Sequence, residues 1–319
     1  MPVQGHGEEE AEARVLQGLR LALELSIAIL VIESVGAYFS RSLSVTVDAV
    51  HNVPDILAFA VSWTALRATE RGATEQLTFG AHRLEVFAGL LNATLVLGTG
   101  LVFGFEATTS LAQGTSFAGP VNAVWILAVA VPTFALRTVN MALLGRIPHR
   151  TRDLNLRSVL VHLASDVAIT SALLVAGVLL VVHLGGGSVD TLAALAIAAI
   201  LVYESLPLFR GGWDVLTERI PRDLSAEAIE RVALSVPRVV EVHDLHVWAV
   251  CPTLVCMTAH VRVEEMSVRD GMDVASTLRA RMAEEFGILH SVFEVEAGPT
   301  PSATQSGGPP APRPLRQLR

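Results

Sequence analysis

The chain has 319 residues, of which 51% are hydrophobic and 17% charged, with a formal net charge of −8 at pH 7. Soluble domains run nearer 25% charged, so this composition excludes a disordered chain, a coiled coil and an ordinary cytosolic enzyme. All 23 basic residues are Arg, and they are dispersed, which excludes the basic patch that nucleic-acid binding needs.

The N-terminus holds Glu8, Glu9 and Glu10 where a signal peptide would be basic. Residues 1–14 are therefore expected to be a cytoplasmic segment, and any span after them to be retained. About 20 apolar residues suffice to cross a bilayer, and six stretches qualify: 15–39, 43–66, 84–111, 121–144, 159–184 and 191–208. Together they define a six-helix transmembrane domain over 15–208. Basic residues stay on the cytoplasmic side of short loops. Arg67, Arg71 and Arg83 join spans two and three, Arg146, Arg150, Arg152 and Arg157 join four and five, and Arg210, Arg219 and Arg222 follow span six. On the other side only Arg41 lies in a loop. This predicts a multi-pass integral membrane protein, in a bacterial inner (plasma) membrane, with both termini in the cytoplasm.

Residues 209–297 read as a soluble unit. Helical spacing over 225–234 begins with Ser225 as a cap and Glu227 soon after. Residues 239–250 and 254–263 alternate as strands around a turn at 251–253, 268–286 return to helical period, and 291–296 alternate again. The order α-β-β-α-β predicts an α+β ferredoxin-like layer of helices on an open sheet, whose open edge or face suits dimerisation. Residues 298–319 hold six prolines and almost nothing to bury, so a disordered tail is expected. Cys251 and Cys256 are the only cysteines. They build no disulfide framework, are spaced unlike a zinc knuckle, and read as small apolar residues.

The chemistry concentrates in spans two and five. His51-x-x-x-Asp55 and His162-x-x-x-Asp166 repeat one spacing, and on a helix positions four apart share a face. Two such pairs facing each other supply two nitrogens and two oxygens, a set that suits tetrahedral Zn²⁺. A central Asp costs roughly 2.5–3.5 kcal/mol to insert, which partners, water or a cation must offset. Hydrogen-bonded packing between helices is the plainer alternative, and identical spacing on two spans weighs against it. Asp48, one turn before His51, reads as an outer partner of the histidine or a proton carrier, outside the ligand set.

The sequence resembles the cation diffusion facilitators, a family of zinc-transporting antiporters. Residues Ser42 to His51 are similar to the family's second-span motif, and Phe79-Gly80-Ala81-His82-Arg83 to its approach to span three. Asp153 to Arg157, followed by His162 and Asp166, resembles its fifth span, and His243-Asp244-Leu245-His246-Val247-Trp248 a signature of its cytoplasmic domain. The resemblance implies a proton-coupled exporter of divalent metal, usually a homodimer, with its transport site at His51, Asp55, His162 and Asp166. It implies Zn²⁺ as cargo, with cadmium and cobalt as alternatives, no organic cofactor and no enzymatic activity. Two departures stand out: Pro54 lies inside the span-two motif, where it is expected to kink the helix, and Ala81 stands where some relatives have a loop-site histidine. A His-rich loop between spans four and five, found in many eukaryotic relatives, is missing, and His149 alone does not replace it.

In the soluble unit His243, Asp244, His246, His260, Glu294 and Glu296 offer donors. His243 and His260 fall on adjacent predicted strands and match positions where the family holds regulatory metal; ordinary hydrogen bonding is the equal alternative. Within the spans, Glu33 is expected to bond neighbouring helices, and Arg137 to snorkel toward the cytoplasm. Two rival functions remain. An intramembrane metallohydrolase would need a further general base and substrate cleft, and no His-Glu-x-x-His motif appears. A sensor that binds metal without carrying it would use the same ligands.

Overall fold

A computed structural model of the chain describes residues 5–69, 75–80, 82–115, 117, 119–145 and 154–297. The predicted tail at 298–319 lies outside the described residues, as do Ala81, His149 and four of the arginines behind the orientation argument, Arg71, Arg146, Arg150 and Arg152. Six long helices come first: α1 (Gly5–Ser40), α2 (Leu43–Thr69), α3 (His82–Gln113), α4 (Ala123–Gly145), α5 (Leu154–Val181) and α6 (Gly187–Leu216). A smaller α+β segment follows: α7 (Ala226–Leu234), β1 (Val239–Cys251), β2 (Leu254–Val263), α8 (Val268–Phe286) and β3 (His290–Ala297). The chain divides into two compact units that part between Phe209 and Arg210, with His82–Val86 grouped with the second.

Each predicted span becomes a helix, and several helices run past the apolar stretch that announced them. α1 begins at Gly5 rather than at residue 15, because Glu, Ala, Leu and Arg are strong helix formers whether or not they sit in lipid. α6 continues through Pro207 to Leu216, although its apolar run ends at 208. Hydropathy locates the membrane-crossing part of a helix, while backbone hydrogen bonding carries the helix further. Helices α1 and α3 to α6 hold stretches long and apolar enough to cross a membrane. α2 has 27 residues, about 40 Å at roughly 1.5 Å per residue, and carries the polar side chains of Asp48, His51, Asn52 and Asp55.

α1 packs on α2 and α4, α4 on α5, and α2 meets α5. The core of this unit gathers Leu43, Val45 and Val47 of α2, Val96 and Ala107 of α3, Ile126, Val129 and Ala130 of α4, Ile169 and Leu173 of α5, and Ala194, Ile197 and Leu201 of α6. Close approach of α3 to α6 depends on Gly100, where a Cβ would lie 3.0 Å from the Ala198 carbonyl oxygen. Small residues allow this in membranes, where packing rather than water exclusion drives association. Many apolar side chains on the outer surface stay exposed, among them Val31, Phe105, Val131 and Val175, as lipid-facing positions must.

One carboxylate ties two helix starts together. Asp190, in the first turn of α6, accepts from the Leu43 backbone N–H at 2.7 Å and from the Ser42 and Ser44 hydroxyls at 2.5 Å each. The first N–H groups of a helix have no partner within it, and the helix dipole favours an anion there. Asp190 is therefore a cap for α2 supplied from α6, and it is 2% exposed.

In the second unit the helices and strands fall where alternation and capping predict. Ser225 accepts from the Ala228 N–H and Ser267 from the Asp270 N–H, opening α7 and α8. Gly287, at φ +67°, closes α8 in the left-handed conformation that favours glycine. β1 pairs antiparallel with β2, and β2 pairs parallel with β3. On the core face Met257, Ala259, Val261 and Val263 of β2 alternate inward and pack with Ile229, Val274, Leu278, Met282 and Phe293. His260 and Arg262, between them, point to the opposite face, half-buried.

Asp190→Ala removes a buried acceptor from several donors, and each hydrogen bond to a charged group contributes about 1.5–3 kcal/mol. Thermal unfolding of the purified full chain in detergent should show a destabilisation of about 3 kcal/mol. A change below about 0.5 kcal/mol, the scale of an ordinary surface substitution, would remove Asp190 as a cap.

Candidate metal centre

α2 and α5 bring three of the four predicted side chains, His51, Asp55 and Asp166, within ligand reach of one another, with His162 set beside both carboxylates. His51 Nε2 lies 3.4 Å from Asp55 Oδ2 and 3.5 Å from Asp166 Oδ1. His162 Nε2 lies 3.4 Å from the same Asp55 oxygen and 3.9 Å from Asp166 Oδ2. The i, i+4 spacing puts each pair on one helix face, and the α2–α5 contact turns the two faces toward each other. α2 is continuous through Pro54, so the site forms within a single helical segment. Zn²⁺ holds nitrogen and oxygen ligands at about 2.0–2.2 Å, which sets tetrahedral edges of about 3.3–3.6 Å between donor atoms. The His51–Asp55, His51–Asp166 and His162–Asp55 separations fall in that range, whereas His162 meets Asp166 through the other carboxylate oxygen at 3.9 Å.

His51 is 1% exposed, Asp55 6% and Asp166 8%; the His162 side chain, at 32%, is the open side of the cluster. A small cavity beside it is lined by Ser26, Ile29, Asn140, His162 and Leu163 together with Asp55 and Asp166. Asn140 and His162 place it toward the end of the bundle where α4 ends and α5 begins. Nδ1 of His51 is buried without a hydrogen-bond partner among the described residues.

Beside this cluster lies a second polar group, which corrects one expectation. Arg137 of α4 does not snorkel: it is 2% exposed. Nη2 donates to Glu33 Oε1 and to Asp48 Oδ1, each at 3.0 Å, and to Asn52 Oδ1 at 3.3 Å. Nη1 donates to Asp48 Oδ2 and to the backbone carbonyl of Asp166, each at 3.2 Å, and to the Thr170 hydroxyl. Two fully buried carboxylates close by are a better partner than a distant interface, because a buried charge is tolerated when it is paired and hydrogen-bonded. Glu33 bonds Asn52 and Arg137, bridging helices as expected, and Asp48 faces Arg137 instead of the histidines. Sequence reading singled out Glu33, Asp48 and Arg137 separately; nothing in their spacing along three helices announces that they meet.

The second unit holds another cluster, on the sheet face opposite its core. His243 of β1 pairs with His260 of β2, which pairs with Glu294 of β3, so the three occupy one row across the sheet. Glu296, two residues on, reaches both histidines, with its Oε2 3.4 Å from His243 Nε2 and its Oε1 2.9 Å from His260 Nδ1. A β-bulge between His243 and His246 puts Asp244 at φ +49°, a conformation Asp adopts more readily than most residues. The bulge brings Asp244 Oδ2 to 3.6 Å from His260 Nε2 and its Oδ1 to 3.1 Å from His246 Nε2.

The Glu296 hydrogen bond holds the His260 imidazolium above its ordinary range, against partial burial, and Glu294, Glu296 and Asp244 act in the same direction. Two facing imidazoles, surrounding carboxylates and a buried His243 Nδ1 without a hydrogen-bond partner among the described residues fit a divalent metal ion, with Glu296 oriented to hold the rings in place. Cys251 and Cys256 are buried free thiols. Burial pushes the Cys256 thiol up, which fits its expected role as a small apolar residue.

A bundle of apolar helices enclosing a His/Asp cluster, joined to a small α+β unit with a second cluster, defines a multi-pass membrane protein that handles metal cations. Residues 19–217 match a family model described as the cation efflux transmembrane domain, and residues 221–297 one described as the cytoplasmic domain of cation efflux proteins. The chain belongs to the cation efflux family, the cation diffusion facilitators. It is 28% identical over 287 residues to the metal cation efflux system protein CzcD of Cupriavidus metallidurans, covering 90% of this chain and 88% of that one. It is 25% identical over 293 residues to the zinc transporter ZitB of Pectobacterium atrosepticum, with 91% and 88% covered. With a cadmium, cobalt and zinc/H(+)-K(+) antiporter of Bacillus subtilis it shares 21% over 293 residues, 92% of each chain. Among solved structures it is similar to the metal-bound C-terminal domain of the CzcD transporter from Cupriavidus metallidurans, at 30% identity and TM-score 0.21, covering 23% of this chain and 99% of that one.

Proposed function

We propose that this protein exports Zn²⁺ from the cytoplasm in exchange for protons, by alternating access at His51, Asp55, His162 and Asp166. The observation that carries this reading is the convergence of two imidazole nitrogens and two carboxylates at separations of 3.4–3.9 Å inside an apolar bundle. The names of relatives support a metal cargo: one is a zinc transporter and another an antiporter of cadmium, cobalt and zinc. Cadmium and cobalt remain cargoes for the same donors, since ligand affinity order alone does not confer selectivity.

The mechanism follows from ligand chemistry. Metal ligands must be deprotonated, so a metal ion entering the site displaces protons from His51 or His162. Histidine, with an ordinary pKa near 6.5, exchanges protons in the physiological range. On the far side, protonation of the same nitrogens weakens the site and releases the ion. The cavity at His162 lies toward the predicted cytoplasmic end, which fits a site approached from the cytoplasm. The carrier is then a secondary active transporter of the inner membrane, with both termini cytoplasmic and its second unit joining two copies. In that unit His243 and His260, with Glu296, hold a resident ion that favours the paired state.

Zinc flux into proteoliposomes under an imposed pH gradient tests the transport site. Asp166→Ala should reduce gradient-driven flux by more than about 100-fold, since even outer partners of metal ligands are worth about 10–100-fold. Flux equal to the parent would remove the site assignment, and binding without flux in the parent would make the protein a sensor. For the second unit, His243→Ala/His260→Ala in the full chain should lower the bound zinc by one ion per chain; an unaltered stoichiometry would remove that ion.

A further inference from the structure

The proposed ligands come from two helices that hold the ion only at the right separation. His51 and Asp55 ride on α2, His162 and Asp166 on α5, and nothing within either pair sets the distance between them. Arg137, on α4, bonds to both helices. On α2 it is bound to both oxygens of Asp48, one turn before His51, and to Asn52, the residue after His51. On α5 it is bound to the backbone carbonyl of Asp166 and to the Thr170 hydroxyl one turn on. It leaves the Asp166 carboxylate free, because its bond goes to the main chain. It is also anchored from a third side by Glu33 of α1.

We infer that Arg137 is a positioning residue of the transport site: its guanidinium fixes α5 against α2 at ligand spacing and keeps Asp48 off the ion. The inference rests on the proposed transport site. A planar guanidinium with five donors in a fixed fork suits this task, whereas a lysine ammonium is a point charge on a flexible stem. Asp48 explains the second half of the role. It is a carboxylate on the ligand-bearing helix, three residues from His51, and unrestrained it would offer the ion a further oxygen. Both of its oxygens are taken by Arg137, so the ion meets two oxygens and two nitrogens rather than a mixed, oxygen-rich set. A buried ion pair is weak evidence for stability, and its best-attested use is to fix one arrangement among several.

The test uses Co²⁺, whose visible absorption reports coordination geometry, titrated into the full chain in detergent with His243→Ala/His260→Ala as background. Asp55→Ala in that background should abolish the four-coordinate band; if the band persists, the transport-site reading itself fails, whatever Arg137 does. Given that loss, Arg137→Lys should weaken Co²⁺ binding by about 10–100-fold, the usual range for a partner behind the ligands, and shift the band toward the weak absorption of higher coordination. In proteoliposomes the same variant should raise the KM for zinc by a similar factor. An Arg137→Lys protein that melts earlier but binds Co²⁺ with unchanged affinity and spectrum would overturn the inference, leaving Arg137 a structural residue only. If Arg137→Lys does not fold, Glu33→Gln/Asp48→Asn/Arg137→Gln keeps the two carboxyl side chains at their size, shortens the arginine and removes every buried charge of the group. The same loss of affinity and change of spectrum is then expected, and an unchanged spectrum overturns the inference.

Discussion

Charge inside an apolar bundle must be neutralised, and this bundle contains two solutions to that constraint side by side. Glu33 and Asp48 face Arg137, a cation that belongs to the chain and cannot leave. Asp55 and Asp166 face His51 and His162, whose charge depends on bound protons. Arginine stays protonated at any working pH, whereas histidine exchanges its proton near neutrality. The first pair of carboxylates is therefore permanently compensated, and the second is compensated by imidazoles that can lose their charge. That difference separates the proposed strut from the proposed carrier site, although the two groups share α2 and nearly the same depth in it.

The rest of the helical unit serves this arrangement. Asp190 caps the start of α2 from α6, fixing one end of the helix that bears half of the site. α4 lies between α1 and α5 and contributes the guanidinium that reaches three neighbours. The second unit solves the related problem on a sheet. Cross-strand pairing sets His243 beside His260, and the strand period of two sends their side chains away from the core that Met257, Ala259 and Val261 build.

How much of this the sequence disclosed follows from the range of each interaction. The His-x-x-x-Asp pairs are legible because one helical turn joins their members, and the α-β-β-α-β order because alternation and caps at Ser225 and Ser267 are local. The pairing of His243 with His260 follows from a hairpin with a short turn. The Arg137 group was not legible: Glu33, Asp48 and Arg137 lie on three helices, and only packing reveals that the arginine is paired rather than drawn to the interface. The same holds for Asp190, which reads as an ordinary first-turn carboxylate of α6 yet serves α2. The bulge that turns Asp244 toward His260 was missed because alternation says nothing about a single inserted residue. Helix ends at Gly5 and Leu216 were missed because hydropathy measures the lipid-facing part of a helix alone.

The coordination of the proposed transport site is read by the zinc K-edge X-ray absorption fine structure of the full chain, with His243→Ala/His260→Ala removing the second site. One four-coordinate zinc per chain is expected, with two imidazole nitrogens and two carboxylate oxygens at about 2.0–2.2 Å and no sulfur. A sulfur shell at about 2.3 Å, or a shell of oxygens without imidazole, would contradict it.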